Sequence, residues 1–438
     1  MREILLRARK PTFEVVAPED ALVRNTIADN AGNLIFSMAA HRILETATTS
    51  VTADRFRVDR RGADVINERY DAYVLPLANA FRPSYEATLI RLTELIRRLR
   101  IPVVVLGVGA QAGLNGSTGR LRPMERSIRE FVSAVLDHGP SIGVRGEVTR
   151  DFLVGLGYRD VEVIGCPSLF FEGDRLRVAK RRATLDRDAR LAINISPYVT
   201  EMGPIVARHV ERYPNLITIA QDIDTLEMLL WGETVVDVEP DDPRPIHVDH
   251  PLVREGRVCT FVDPWPWIET LRDVDFSFGT RIHGNIAALM AGTPAVVLAH
   301  DSRTLELARY FEIPYRLLPD LSPDVDAADL HAAADYGPLV AGHPARWATF
   351  VAYLARHGLE HAFEAGEPTP SFAERLATTP FPPAVTTASR VELRGLGGRV
   401  KRARRSARRL LRRRWTRRAR VAITSARAAV GRRAGKDR

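Results

Sequence analysis

Short apolar runs alternate with stretches of helical periodicity along most of this chain. Residues 72–75 and 103–108 (VVVLGV) are apolar runs, 141–144 (SIGV) and 161–164 (VEVI) are largely apolar, and all four read as strands. Between them, 85–99 places Leu89, Leu92, Ile96 and Leu99 on one helical face, and 124–136 and 147–156 are helical as well. Buried strands separated by helices of this length predict a parallel sheet covered on both faces. The pattern breaks at residues 172–190, a charged stretch with no apolar face. A second series then follows. Strands are expected at 191–195, 216–220, 258–262, 274–278 and 294–299, with helices at 200–212, 224–231, 283–291, 302–311, 326–335 and 344–357. Residues 232–257, rich in Pro, Asp and His, read as a long loop.

The expected fold class is therefore α/β, with two Rossmann-like domains facing a cleft and a basic C-terminal tail. The expected boundaries are 1–172, a linker at 173–190, a second domain at 191–375, and a Pro-containing linker and Arg-rich tail at 376–438. Ligands of such folds bind beyond the carboxyl ends of the strands, so candidate chemistry is sought just after each strand.

Charge divides the 438 residues into two objects. The net charge is +9, but residues 394–438 hold 19 Lys and Arg against one acid, Asp437, and carry +18. The remainder carries −9. The tail sets Leu411 and Trp415 among arginines at helical spacing. It is expected to be solvated or to dock on an anionic membrane surface. Nucleic acid is the weaker expectation, because no nucleic-acid-binding fold accompanies the charge. Two cysteines, Cys166 and Cys259, exclude a disulfide scaffold. MREILLRARK has neither an apolar core nor a small-residue cleavage site, so no signal peptide is expected. The expected localisation is cytoplasmic, with the inner face of the cell membrane as a peripheral site through the tail.

Four segments can carry chemistry. In residues 274–314, Gly279 and Thr280 make a turn, and Arg281, His283 and Asn285 stand where a strand hands over to a helix. Helix-start N–H groups favour an anion, Arg281 adds a planar cationic fork, and His283 is a proton-transfer group near neutral pH. In residues 141–171, Arg145 has the same strand-to-helix position, and Gly165, Cys166, Pro167 and Ser168 follow the next strand. Cys166 reads as a small buried residue. Gly107, Gly109 and Gln111 follow a strand, where glycine permits close backbone approach, but their spacing is not a dinucleotide fingerprint. Asn30, Gly32 and Asn33 form a turn leading into an amphipathic helix that would border a cleft. No metal-ligand spacing is apparent.

These segments together resemble the polysaccharide pyruvyl transferase family. The resemblance spans roughly residues 25–315 and rests on NAGNLI, PVVVLGVGAQ, S-x-x-V-R-x-E with the later V-x-x-x-G-x-P, and G-x-R-x-H followed by A-G-x-P-x-V. Asn33 stands where family members usually carry an acid. The resemblance implies a GT-B-like pair of Rossmann domains and phosphoenolpyruvate as donor, with no further cofactor or metal. It implies a sugar or polysaccharide acceptor, free or lipid-linked, and Arg145 and Arg281 as donor-binding arginines with His283 as the essential histidine. Two other readings compete. One is a GT-B-type glycosyltransferase using a nucleotide sugar. The other is a catalytically silent scaffold of the same fold.

Overall fold

The computed structural model describes residues 1–57, 59–234, 238–239 and 241–390. The Arg-rich tail, and the membrane role expected of it, lie outside the described residues. Among the described residues no helix is long and apolar enough to cross a membrane.

The first sheet is parallel. It joins β1 (Arg2–Leu6), β2 (Thr49–Ala53), β3 (Ala72–Pro76) and β4 (Val103–Leu106) in the order β2-β1-β3-β4. A parallel pair, β5 (Ile142–Val144) and β6 (Val161–Val163), continues it through a bridge between Val108 and Val144. The strand order therefore reverses direction between β1 and β3. The second sheet, also parallel, has the order β12-β11-β10-β7-β8-β9. Its strands are β7 (Leu191–Asn194), β8 (Ile217–Ala220), β9 (Val258–Thr260), β10 (Phe276–Gly279), β11 (Ala295–Ala299) and β12 (Tyr315–Leu317). Here the reversal falls between β7 and β10. Each sheet thus opens a crevice at a switch point, as doubly wound sheets do, and the two crevices face one another. This is the GT-B-like pair of Rossmann-like units.

The apolar runs explain the central strands. Val103, Val104 and Val105 are fully buried, as are Phe276, Phe278, Ala295 and Val297, because helices cover both sheet faces. Two expectations change. The helix Gly32–Leu44 is not amphipathic: every residue from Leu34 to Leu44 is buried. It lies between the domains, against the turn Pro167–Phe170 and the helices Pro264–Leu271 and Ile282–Met290, so no face meets water. The loop at 232–257 also contains a short helix, Pro251–Arg254.

Contacts across the interface set the cleft. Ala31 N–H donates to the Gln221 carbonyl at 2.8 Å, and Ile223 N–H donates to the Asp29 carbonyl at 3.2 Å. Lys10 and Asp263 form a buried ion pair. Glu306, on the helix Ser302–Phe311, accepts from Thr149 N–H at 2.7 Å and Thr149 Oγ1 at 3.0 Å, within the first turn of the helix Glu147–Gly155. The helix Gly337–Arg356 then crosses back to the first sheet. Tyr353 OH donates to the Val105 carbonyl at 2.7 Å and accepts from Gly143 N–H at 3.0 Å.

Candidate active site

The two switch points open into one cavity of about 340 Å³. Its second-domain wall is built where β7 and β10 end. Gly279 has φ +144°, and a Cβ there would lie 1.9 Å from the Asn194 carbonyl oxygen, so only glycine fits. Fully buried Asn194 spans the reversal. Its Oδ1 accepts from Arg281 N–H at 2.9 Å, and its Nδ2 donates to Asn285 Oδ1 at 2.9 Å. Arg281 is the N-cap of the helix Ile282–Met290, and its Nε donates to the Ile195 carbonyl at 3.3 Å. Among the described residues Arg281 has no acidic ion-pair partner.

His283 lies in the first turn of that helix and lines the cavity. Its ring packs against Phe36, with centroids 5.5 Å apart, and its Nε2 lies 3.8 Å from Cys166 Sγ. Burial, and then the Arg145 cation, push its pKa down to about 3. The imidazole is therefore neutral at physiological pH. This corrects the expectation of a group titrating near neutrality: the sequence shows the histidine but not the cation beside it.

Arg145 enters from the first domain. Its backbone N–H continues the ladder to the Val108 carbonyl at 3.0 Å, which turns the side chain into the cavity. The residue is 2% exposed, yet its Nε and one terminal nitrogen have no hydrogen-bond partner among the described residues. Burial lowers its pKa from the usual arginine value, and the nearby Arg303 adds to this, while Cys166 and Glu306 oppose it. An arginine stays charged in proteins, so this is a desolvated cation with open donors and, among the described residues, no carboxylate in ion-pair contact, although Glu306 is near enough to act on it. Leaving such a group unpaired costs several kcal/mol, on the order of 3–5, and an anionic ligand would relieve that cost. Gly109 makes room for it: a Cβ there would lie 2.6 Å from Arg145 Cδ.

The remaining expected residues divide. Asn30 and Asn33 line the cavity. Asn30 Oδ1 accepts from Gly32 N–H at 2.9 Å, and Asn33 Nδ2 donates to the Ala28 carbonyl at 3.0 Å, so both also shape the turn. Gly32 packs against Gln221 and His283 without lining the cavity. Gly107 lies where the chain passes the Gly165 carbonyl. Gln111, Ser168 and Asn285 are outside the lining. Ser168 is buried beneath Cys166, 3.1 Å from its sulfur, and Asn285 braces the Gly279 and Arg281 carbonyls.

Several lining residues carry no local signal in the sequence. Arg7, Asn79, Arg82 and Tyr85 come from the first domain, and Gln221 and Arg303 from the second. Arg7 is held by Asp54 at 3.2 Å and by Tyr85 OH at 3.1 Å, and Arg303 is paired with Asp301. The one signal that could have found Arg7 is its position directly after β1, a strand with a charged start that the apolar pattern did not reveal.

A family model described as polysaccharide pyruvyl transferase matches residues 37–302. The chain belongs to that family. The matched span contains Arg145, Arg281 and His283, while Asn30 and Asn33 precede it. A search of curated proteins gives no match. Among solved structures, the chain is similar to the glycotransferase of kitacinnamycin at 13% identity, covering 81% of this chain and 98% of that one, with a TM-score of 0.35. It is also similar to UDP-GlcNAc 2-epimerase from Neisseria meningitidis bound to UDP-GlcNAc, at 12% identity, 86% and 100% coverage and a TM-score of 0.37. The Methanocaldococcus jannaschii UDP-GlcNAc 2-epimerase aligns at 11% identity over 81% and 99%, with a TM-score of 0.39. At these scores the likenesses add nothing to what the chain's own sheets show.

Proposed function

We propose that this family member transfers a pyruvyl group from phosphoenolpyruvate to two hydroxyls of a sugar, forming a ketal on a polysaccharide or its lipid-linked precursor. The observation that carries this reading is the buried, unpaired Arg145 guanidinium sharing one cavity with Arg281 and His283. A donor with a phosphate and a carboxylate needs two cations, one of them presented as a planar fork. The N-terminus of the helix Ile282–Met290 adds N–H dipoles on the same side.

Protonation of the donor at C3 leaves a cation at C2. A sugar hydroxyl attacks C2 and gives up its proton. The C2–O bond to phosphate then breaks, with the electron pair leaving on phosphate, and the second hydroxyl closes the ketal with loss of its proton. His283, neutral in the free cleft, suits the removal of a hydroxyl proton. Burial is the larger cause that holds the ring neutral, and a donor anion on Arg145 would offset the second, the neighbouring cation, so the ring would then accept that proton more readily. Acid–base help of this kind contributes about 10²–10⁴-fold.

The decisive experiment incubates the full chain with phosphoenolpyruvate and a panel of nitrophenyl and lipid-linked sugars. Phosphate release with a pyruvyl mass gain on the sugar is expected. Release from a nucleotide sugar instead, with phosphoenolpyruvate inert, would move the reading to a glycosyltransferase.

A further inference from the structure

We infer that Asn79 reads the acceptor, with its amide gripping a hydroxyl of the sugar. This rests on the pyruvyl-transfer reading above. Asn79 is 8% exposed and lines the cavity, and neither Oδ1 nor Nδ2 has a hydrogen-bond partner among the described residues. Buried amides are normally satisfied, so a group left open on both atoms is waiting for a ligand that both donates and accepts.

The donor cannot supply this. Phosphoenolpyruvate near neutral pH presents a carboxylate and a largely dianionic phosphate, which are acceptors. It can satisfy the open N–H groups of Arg145, but it offers little to a carbonyl oxygen that needs a hydrogen. A sugar hydroxyl is both donor and acceptor, and two neighbouring hydroxyls match the two atoms of one amide.

The backbone holds this amide in place. Ala78, just before it, has φ +39°, in the left-handed region that a residue with a side chain seldom adopts. Arg82 Nη1 grips the Asn79 carbonyl. The Ala78 carbonyl oxygen and Arg145 Nε lie 2.9 Å and 2.8 Å from the point where a Cβ on Gly109 would sit. The acceptor-reading segment therefore runs alongside the anion-binding guanidinium, as a ketal-forming step requires of its two substrates.

The test compares the wild-type chain with Asn79→Ala and Asn79→Ser. Nitrophenyl hexosides and their monodeoxy analogues are titrated by calorimetry, and turnover with phosphoenolpyruvate is measured in parallel. Wild type should bind at least one hexoside about tenfold more tightly than one of its deoxy analogues. Asn79→Ala should bind the two alike, while its KM for phosphoenolpyruvate stays within about twofold. Asn79→Ser should keep part of the discrimination. A variant that still discriminates as wild type does, or a wild type that binds no hexoside of the panel, overturns the assignment. Discrimination lost in Asn79→Ala, with no phosphate released by wild type, would overturn the donor reading and leave the sugar site standing.

Discussion

Cys166 Sγ lies 3.8 Å from His283 Nε2, and the two residues belong to different domains. Cys166 follows β6, and His283 opens the helix after β10. A neutral ring with its proton on Nδ1 would accept a weak thiol hydrogen bond at Nε2, and such a contact would help to orient the ring. Cys166→Ala should lower kcat several-fold, up to about tenfold, with little change in the KM for phosphoenolpyruvate, while Cys166→Ser should retain most of the rate. Steady-state kinetics on both variants check this. Equal losses in the two would assign Cys166 to packing alone.

His283→Gln should fold yet lose about 10² or more in turnover. The same variant has a pH signature. The folded-state pKa of His283 is depressed from 6.5 to about 3, so the unfolded chain binds the proton more readily. The stability that the neutral ring contributes is complete above pH 6.5 and is lost as pH falls towards 3. Wild type should therefore lose more stability than His283→Gln between pH 7 and 5, by at most about 2 kcal/mol for a ring that is partly exposed. Melting curves across that range would show it, and parallel curves would contradict it.

Arg281→Lys should cost more than conservation of charge suggests. Arg281 Nε is already committed to the Ile195 carbonyl, and the residue lines the cavity. A lysine keeps the cation but loses both the Ile195 contact and the planar pair. kcat/KM for phosphoenolpyruvate should fall about ten- to hundredfold. Unchanged kinetics would give Arg281 a purely architectural role.

Gly109→Ala should act on donor affinity without replacing a charged residue. The new methyl would lie 2.6 Å from Arg145 Cδ and 2.9 Å from the Ala78 carbonyl, so the guanidinium must shift. The KM for phosphoenolpyruvate should rise about tenfold or more, with a melting temperature only modestly lowered. A normal KM would mean that Arg145 tolerates the displacement.

Deleting 394–438 should leave turnover on small acceptors intact and abolish binding to anionic liposomes. The deleted segment carries +18 and the rest of the chain −9. Basic residues near such a surface contribute about 1 kcal/mol each, screened by salt. Sedimentation with phosphatidylserine vesicles at rising salt measures it. A full-length chain that ignores vesicles at low salt would remove the membrane role.

What the sequence made legible follows from what is local. Runs such as LAIN and FSFG announced β7 and β10, and the glycine and arginine that follow them announced the turn. The strands β1 (REILL) and β2 (TSVTA) carry no such signal, because charged and hydroxyl residues break up their apolar runs. The nearness of Asn285 to His283 in the chain suggests a site residue, yet two positions along a helix face different ways, and it serves the backbone instead. Asn79 shows the opposite case. Nothing around it in the chain marks it, because an unsatisfied amide is a property of the assembled cavity.

The return of Tyr353 to the first sheet has a consequence for biosynthesis. Its hydroxyl closes the gap between Val105 and Gly143, and His357 Nε2 reaches the Ser141 carbonyl at 3.0 Å nearby. A nascent chain emerging from the ribosome holds every strand of that sheet once β6 is out, but buried polar groups between β4 and β5 have no partner until Tyr353 follows. N-terminal domains generally fold first during synthesis. Here the first-made half is expected to wait in an incomplete state until the helix Gly337–Arg356 has been made, which exposes it to chaperones and proteases while the second sheet is being translated.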